Sequence, residues 1–144
     1  MVYVDTSVLV PLFLNEPHSL AAAGWYAREK SELVSAVWCV PEFASALGIK
    51  QRTGAISAQQ AQRAWTNFER LVVADLRLLP AVPANFHRAA ELVLDAASAL
   101  RAGDALHLAC AEAAGAQRMA TLDDTLGLNA QRLRIRLVVL RAPP

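Results

Sequence analysis

The chain has 144 residues, 55% of them hydrophobic and 19% charged, and a formal net charge of +1. That length suits one domain and that apolar content excludes a disordered segment, while the near-zero charge rules out a basic tail or a broadly cationic surface. Cys39 and Cys110 stand far apart in apolar surroundings, which excludes a zinc knuckle or a redox pair and predicts buried free thiols.

Val2 to Val4 is a short apolar run that Asp5-Thr6-Ser7 ends, and Val8, Leu9, Leu12 and Phe13 then recur at helical spacing. A helix fits His18 to about Glu29, a strand Leu33 to Val37, and Pro41 sits in the first turn of a third helix with Glu42 beside it. That helix runs to about Arg52 and stops at Gly54, which suits the left-handed conformation beyond a helix end. Ser57 is placed to cap the next helix, whose Ala61, Trp65, Phe68 and Val72 make one apolar face for the core or a subunit contact. Leu76 to Leu79 is a strand closed by Pro80, and Pro83 to Leu94 a helix. After Gly103, Ala105, Leu108, Ala109 and Glu112 lie on another helix, followed by a strand from Arg118 to Thr121 with Asp123 close behind. A helix to about Arg132 and a strand from Arg136 to Leu140 complete the alternation. Strands alternating with helices imply an α/β fold, a three-layer α/β/α sandwich around a parallel sheet, with residues 1–144 as one domain. No repeat, linker or low-complexity tract interrupts it, and no uninterrupted apolar run approaches the ~18 residues of a bilayer-spanning helix. With no basic segment ahead of Val2 and no small-residue cleavage site after it, the expected location is cytoplasmic.

Ligands of open parallel sheets bind beyond the carboxyl ends of the strands, where strand order reverses. Asp5 and Asp123 follow strands closely, and Glu42 and Asp104 fall in the first turns of helices that start at the same edge, so four carboxylates are expected to converge. Such a cluster calls for a cation, and a hard ion, Mg²⁺ or alternatively Mn²⁺, prefers oxygen ligands. Taken singly, an acid at a helix start also caps N–H groups and complements the helix dipole, and that is the preferred single-residue reading for Glu42 and Asp104. Asp5 lies between apolar residues, where an unpaired charge is costly, so function is the preferred reading there. Asp124 is read as a solvated first-turn residue. His107, among Leu106, Leu108 and Ala109, is read as a packed residue in preference to a metal-shell one. No G-x-S-x-G elbow, phosphate loop or dinucleotide glycine motif is present. Receiver domains and haloacid dehalogenase-like phosphatases fit poorly, because the third strand ends Leu79-Pro80 and no second Asp stands two residues after Asp5.

The blocks Val4-Asp5-Thr6-Ser7, Pro41-Glu42-Phe43, Asp104-Ala105-Leu106-His107-Leu108-Ala109 and Thr121-Leu122-Asp123 resemble, in order and over nearly the whole chain, the PIN domains of VapC-type toxins. One departure is Arg134, where many members have a glycine before the last strand. The resemblance implies a five-stranded parallel sheet and a Mg²⁺-dependent endoribonuclease, the toxin of a type II toxin–antitoxin pair. Asp5 and Asp104 would be the principal metal ligands. Glu42 and Asp123 would complete the quartet through a second ion or bound waters, and Thr6, Ser7 and Thr121 would support them by hydrogen bonds. Hydrolysis would leave a 5′-phosphate and a 3′-hydroxyl. The implied partners are an RNA substrate, a cognate antitoxin protein covering the active site and a second copy of the chain in a homodimer, with no membrane. Lys50, Arg52 and Arg101 are read as solvated in preference to phosphate contacts, and Trp25, Trp38 and Trp65 as core in preference to partner contacts. Two other readings stay open: a PIN-type nuclease of RNA processing that is not a toxin, which an adjacent antitoxin gene would discriminate, and a non-catalytic metal-binding interaction module, against which the intact quartet argues.

Overall fold

The computed structural model describes residues 1–140; the last four residues of the expected 1–144 domain lie outside the described residues. The elements in chain order are β1 (Val2–Val4), α1 (Thr6–Phe13), α2 (Ser19–Arg28), β2 (Leu33–Ala36), α3 (Cys39–Arg52), α4 (Ala58–Ala74), β3 (Leu76–Leu79), α5 (Pro83–Leu94), α6 (Ala102–Ala113), β4 (Arg118–Ala120), α7 (Asp124–Arg132) and β5 (Arg136–Leu137). A single 3₁₀ turn at Ala96–Ser98, absent from the sequence reading, links α5 to α6.

All five strands are parallel, in the order β3-β2-β1-β4-β5. Chain order runs outward in one direction from β1 to β3 and then resumes on the other side of β1 with β4. The reversal therefore falls between β1 and β4, which is where a ligand site is expected. Alternation along β1 separates the two layers. Val2 and Val4 face a core shared with α1 to α4, whereas Tyr3 faces the opposite core built with α5, α6 and α7. In the first core, Phe43 and Phe68 stack at 4.3 Å between ring centroids and Phe13 meets Phe43 edge-on at 5.8 Å. Both cysteines are buried free thiols, as expected. No helix among the described residues is long and apolar enough to cross a membrane.

The helix ends show how local chemistry sets the frame. Ser57 caps α4 through a reciprocal box in which its hydroxyl accepts from Gln60 N–H (3.1 Å) and the Gln60 side chain accepts from Ser57 N–H (2.8 Å). Gly54 ends α3 at φ +77°, with Gly54 N–H donating to Gln51 and Ala55 N–H to Lys50, the hydrogen-bond pair of a Schellman cap. The same pair closes α7, where Arg134 N–H donates to Gln131 and Ile135 N–H to Ala130. Arg134 takes φ +63° to do so, so it adopts the left-handed turn a glycine would adopt without strain.

Several boundaries depart from the sequence reading. Strand β4 stops at Ala120 and not Thr121, where its pairing with β1 ends at Val4 opposite Ala120. Strand β5 covers Arg136–Leu137, short of Leu140, although Val138 N–H still reaches Met119 (2.8 Å). Helix α6 starts at Ala102, which places Gly103 inside its first turn.

Candidate active site

Asp5 leaves β1 at the point where order reverses. Its N–H is held by the Ala120 carbonyl of β4 (2.9 Å), and the residue is 4% exposed. One oxygen, Oδ2, accepts from Ser7 N–H (3.3 Å), from the Ser7 hydroxyl and from the Thr121 hydroxyl (2.9 Å). Thr121 Oγ1 in turn accepts from Asp123 N–H (3.0 Å), and Ser7 Oγ accepts from Leu122 N–H (2.9 Å), so the loops after β1 and β4 are knitted into one floor. Asp123 Oδ1 accepts from Leu126 N–H at 2.7 Å. Asp5 and Asp123 are thus the helix caps, of α1 and α7. Glu42 and Asp104, for which capping is the preferred reading only when each is taken singly, occupy the expected first turns, of helices capped by no side-chain bond. The reason is register: a cap must sit just before the helix, and α3 and α6 each begin ahead of these residues.

Glu42, on α3, is half-buried. Its Oε1 accepts from the Thr6 hydroxyl (2.7 Å) and meets His107 Nε2. Burial on its own would raise this carboxyl, but hydrogen bonds from His107, Thr6 and Trp38 and the attraction of His107 hold it below its ordinary value. Gly103 makes room for that arrangement: a Cβ there would stand 3.2 Å from Glu42 Oε2 and 3.3 Å from Trp38 Nε1. Asp104, the next residue, behaves in the opposite way. Burial first, and then the negative charges of Asp5, Asp123 and Glu42, push its carboxyl above the ordinary value. Asp124 is exposed, as expected.

The structure therefore brings all four acids to one edge of the sheet. Among the described residues, no lysine or arginine makes an ion pair with any of them. Nor do three or more Asp, Glu, His or Cys side chains among the described residues stand closed around a common ion position. Carboxylate oxygens with unused lone pairs, on a floor already hydrogen-bonded from behind, make a donor set suited to a hard divalent cation.

Three positions differ from the sequence reading or extend it. His107 is fully buried, yet it is part of the cluster: Nε2 meets Glu42 and lies 3.8 Å from Asp5 Oδ1. Burial opposes its charged form, but the Glu42 hydrogen bond and the charges of Asp5, Glu42 and Asp104 raise its pKa. Tyr3, buried behind it, was not singled out at all. The available signals were spacing: His107 lies three residues after Asp104 on a helix, and Tyr3 two before Asp5 along a strand direction. Trp38 is the third, since 36% of it is exposed and it lines an apolar cavity of about 480 Å³ with Phe86, Val93 and Leu106. Trp25, by contrast, is core, and Trp65 packs partly buried against it. Lys50 is engaged with Glu16, whereas Arg52 and Arg101 are exposed.

Among solved structures, the chain is similar to VapC20 of Mycobacterium tuberculosis, described as a sarcin-ricin loop cleaving toxin, at 15% identity over 99% of this chain and 100% of that one, with a TM-score of 0.76. It is also similar to FitAcB of Neisseria gonorrhoeae (16% identity, 96% and 97% covered, TM-score 0.70) and to FitAB bound to an IR36 DNA fragment (16%, 96% and 94%, TM-score 0.67). At these identities the likeness is one of fold. No curated protein sequence matches the chain. The PIN domain profile matches residues 2–130, and the chain belongs to the PIN domain family.

Proposed function

We propose that this chain is a metal-dependent endoribonuclease, using Mg²⁺ or in its place Mn²⁺, and the toxin of a VapBC-type toxin–antitoxin pair. The observation that carries the nuclease reading is the cluster around Asp104: a half-buried carboxyl raised by burial and by three neighbouring acids, with no lysine or arginine among the described residues paired to the group. Asp5 and Asp104 would hold the ion, and Glu42 and Asp123 would complete the site. A bound divalent ion would supply Lewis acidity to the scissile phosphate and activate water for in-line attack, leaving a 5′-phosphate and a 3′-hydroxyl. The chain's own residues do the rest. Ser7 and Thr121 fix Asp5 by occupying Oδ2, which leaves Oδ1 toward the cluster. Asp123, anchored by its cap bond to Leu126, and Glu42, anchored by Thr6, are placed to orient water by accepting its hydrogens.

The toxin assignment is supported by the fold shared with VapC20 and FitAcB. With it come an antitoxin partner, a homodimer, a cytoplasmic location and the reading of residues 1–144 as one PIN domain. The test is cleavage of RNA by purified protein with and without Mg²⁺, comparing the parent with Asp5→Asn and Asp104→Asn. Loss of Mg²⁺-dependent cleavage in both variants is expected; unchanged cleavage would sink the site assignment. Co-expression with the protein encoded by an adjacent small gene tests the toxin role, the expected result being rescue of growth.

A further inference from the structure

Behind Glu42 lies a buried hydrogen-bond chain for which the hydrolysis above has no use. Ala36 N–H donates to the Tyr3 hydroxyl oxygen (3.0 Å), Tyr3 Oη lies 2.7 Å from His107 Nδ1, and His107 Nε2 meets Glu42 Oε1. Tyr3 and His107 are both 0% exposed, and neither is a Glu, Asp or surface group that water could replace.

The directions of these bonds follow from the valences. With Ala36 N–H spent on the Tyr3 oxygen, the Tyr3 hydroxyl hydrogen is directed to Nδ1, which accepts it. The neutral ring then carries its hydrogen on Nε2 and donates to Glu42. The other tautomer would set the Nε2 lone pair against a carboxylate lone pair, a repulsive contact in a buried place. Both ring nitrogens are thereby occupied, so His107 is not free to ligate a metal through either. Glu42 Oε1 receives two donors, His107 Nε2–H and the Thr6 hydroxyl, and Thr6 Oγ1 itself lies 3.3 Å from Nε2. Oε2 faces the first turn of α6 at Gly103, next to Asp104 and on the side of the Trp38 indole N–H, where the missing Cβ leaves it space.

We propose that Tyr3 and His107 are positioning residues: the tyrosine hydroxyl sets the imidazole tautomer, and the imidazole with Thr6 pins Glu42 Oε1 so that Oε2 is the working oxygen of this carboxylate. This rests on the nuclease reading of the site for its catalytic consequence, but its geometric content stands apart from it. The strand–helix placement gives the device its rigidity, since Tyr3 is on β1 and His107 on α6, the two elements that carry Asp5 and Asp104.

Gln and Asn separate positioning from packing, because a glutamine amide at 107 reaches the Nε2 position and an asparagine amide only the Nδ1 position. His107→Asn is expected to lower kcat about a hundredfold with KM within about twofold, Tyr3→Phe about tenfold, and His107→Gln to recover at least about tenfold of the asparagine loss. Equal impairment of His107→Gln and His107→Asn, with both folded by their amide spectra, would overturn the proposal. The second readout needs no activity. In ¹⁵N-histidine-labelled, metal-free protein, at a pH high enough for the imidazole to be neutral, His107 is expected to show a hydrogen on Nε2 and an accepting Nδ1, with Tyr3→Phe moving the Nδ1 resonance and Glu42→Gln the Nε2 one. A ring with its hydrogen on Nδ1 alone, or resonances indifferent to both substitutions, would refute it. If the parent cleaves no RNA, the nuclease reading fails while this spectrum still decides the positioning.

Discussion

Strand β4 has a carboxylate at each end, and the two are held in contrary ways. At its start, Arg118 clamps Glu29 with two hydrogen bonds (3.0 and 2.9 Å), and Trp25 Nε1–H, Lys30 N–H and Ser31 N–H add three more donors. Arg118 foremost, against the cost of burial, draws the Glu29 carboxyl down to about 2. Beyond the other end of the strand, Asp104 faces three acids, and its carboxyl moves up. Glu29 is a charge completed by the fold, with every lone pair spoken for. Asp104 is a charge the fold leaves uncompleted, which costs stability unless a cation arrives. Proteins commonly accept such local cost where function requires it.

The largest effect expected from this contrast is on activity. Asp104→Asn should reduce Mg²⁺-dependent RNA cleavage by about a thousandfold, the scale for removing a group that acts on transition-state charge, whereas Glu29→Gln should leave cleavage within about twofold. Equal losses would erase the distinction between the two ends. Stability should rank them the other way. Glu29→Gln leaves the Arg118 guanidinium without its charged partner and should cost about 1.5–3 kcal/mol in urea unfolding, in the range for hydrogen bonds to charged groups. The pH dependence carries the sign. An unfolded Glu29 takes up its proton near 4.5 and the folded one only near 2, so its contribution is complete above that upper value and disappears as pH falls toward the lower one. Glu29→Gln should remove that part of the acid unfolding limb.

A smaller effect, of opposite sign, is expected at Asp104. Because its folded carboxyl is raised, protonation favours the folded state, and Asp104→Asn in metal-free buffer should raise Tm by roughly 2–4 °C while abolishing activity. Mg²⁺ at about a hundred times its Kd should stabilise the parent by about 2.7 kcal/mol and the variant by far less. A lowered Tm for metal-free Asp104→Asn would show that the acids are not in net repulsion. The smallest effect belongs to Glu32, whose exposed pairing with Arg77 resembles that of Glu29 on paper. Glu32→Gln should leave Tm unchanged, since solvent screens an exposed pair.

Much of this was legible beforehand because it is local. The alternation of Val2, Tyr3 and Val4 and the apolar face of Ala61, Trp65, Phe68 and Val72 follow from strand and helix periods, and the Ser57 cap from hydrogen bonds within one turn. The four acids could be placed at one edge because a parallel sheet sends every strand end to the same side. Glu42 and Asp104 sit in the first helical turns expected of them, but the side-chain capping bonds are made by Asp5 and Asp123, since the N-caps of α3 and α6 are Trp38 and Arg101. Trp38 was assigned to the core by type, but its place just ahead of α3 leaves it at the surface.

The amino-acid sequence alone determined the order of strands and helices, the family blocks and the four carboxylates, since each depends on neighbours a few residues apart. Only the tertiary structure decided which oxygens of those carboxylates are occupied and which are left open. Tyr3 lies 104 residues from His107, and Thr121 lies 116 from Asp5, and each of these bonds exists only because sheet order sets the strands and helix together. The end of β4 that the fold completes with Arg118 and the end it leaves short of positive charge are likewise indistinguishable as letters. They differ in which side chains the folded chain carries to them.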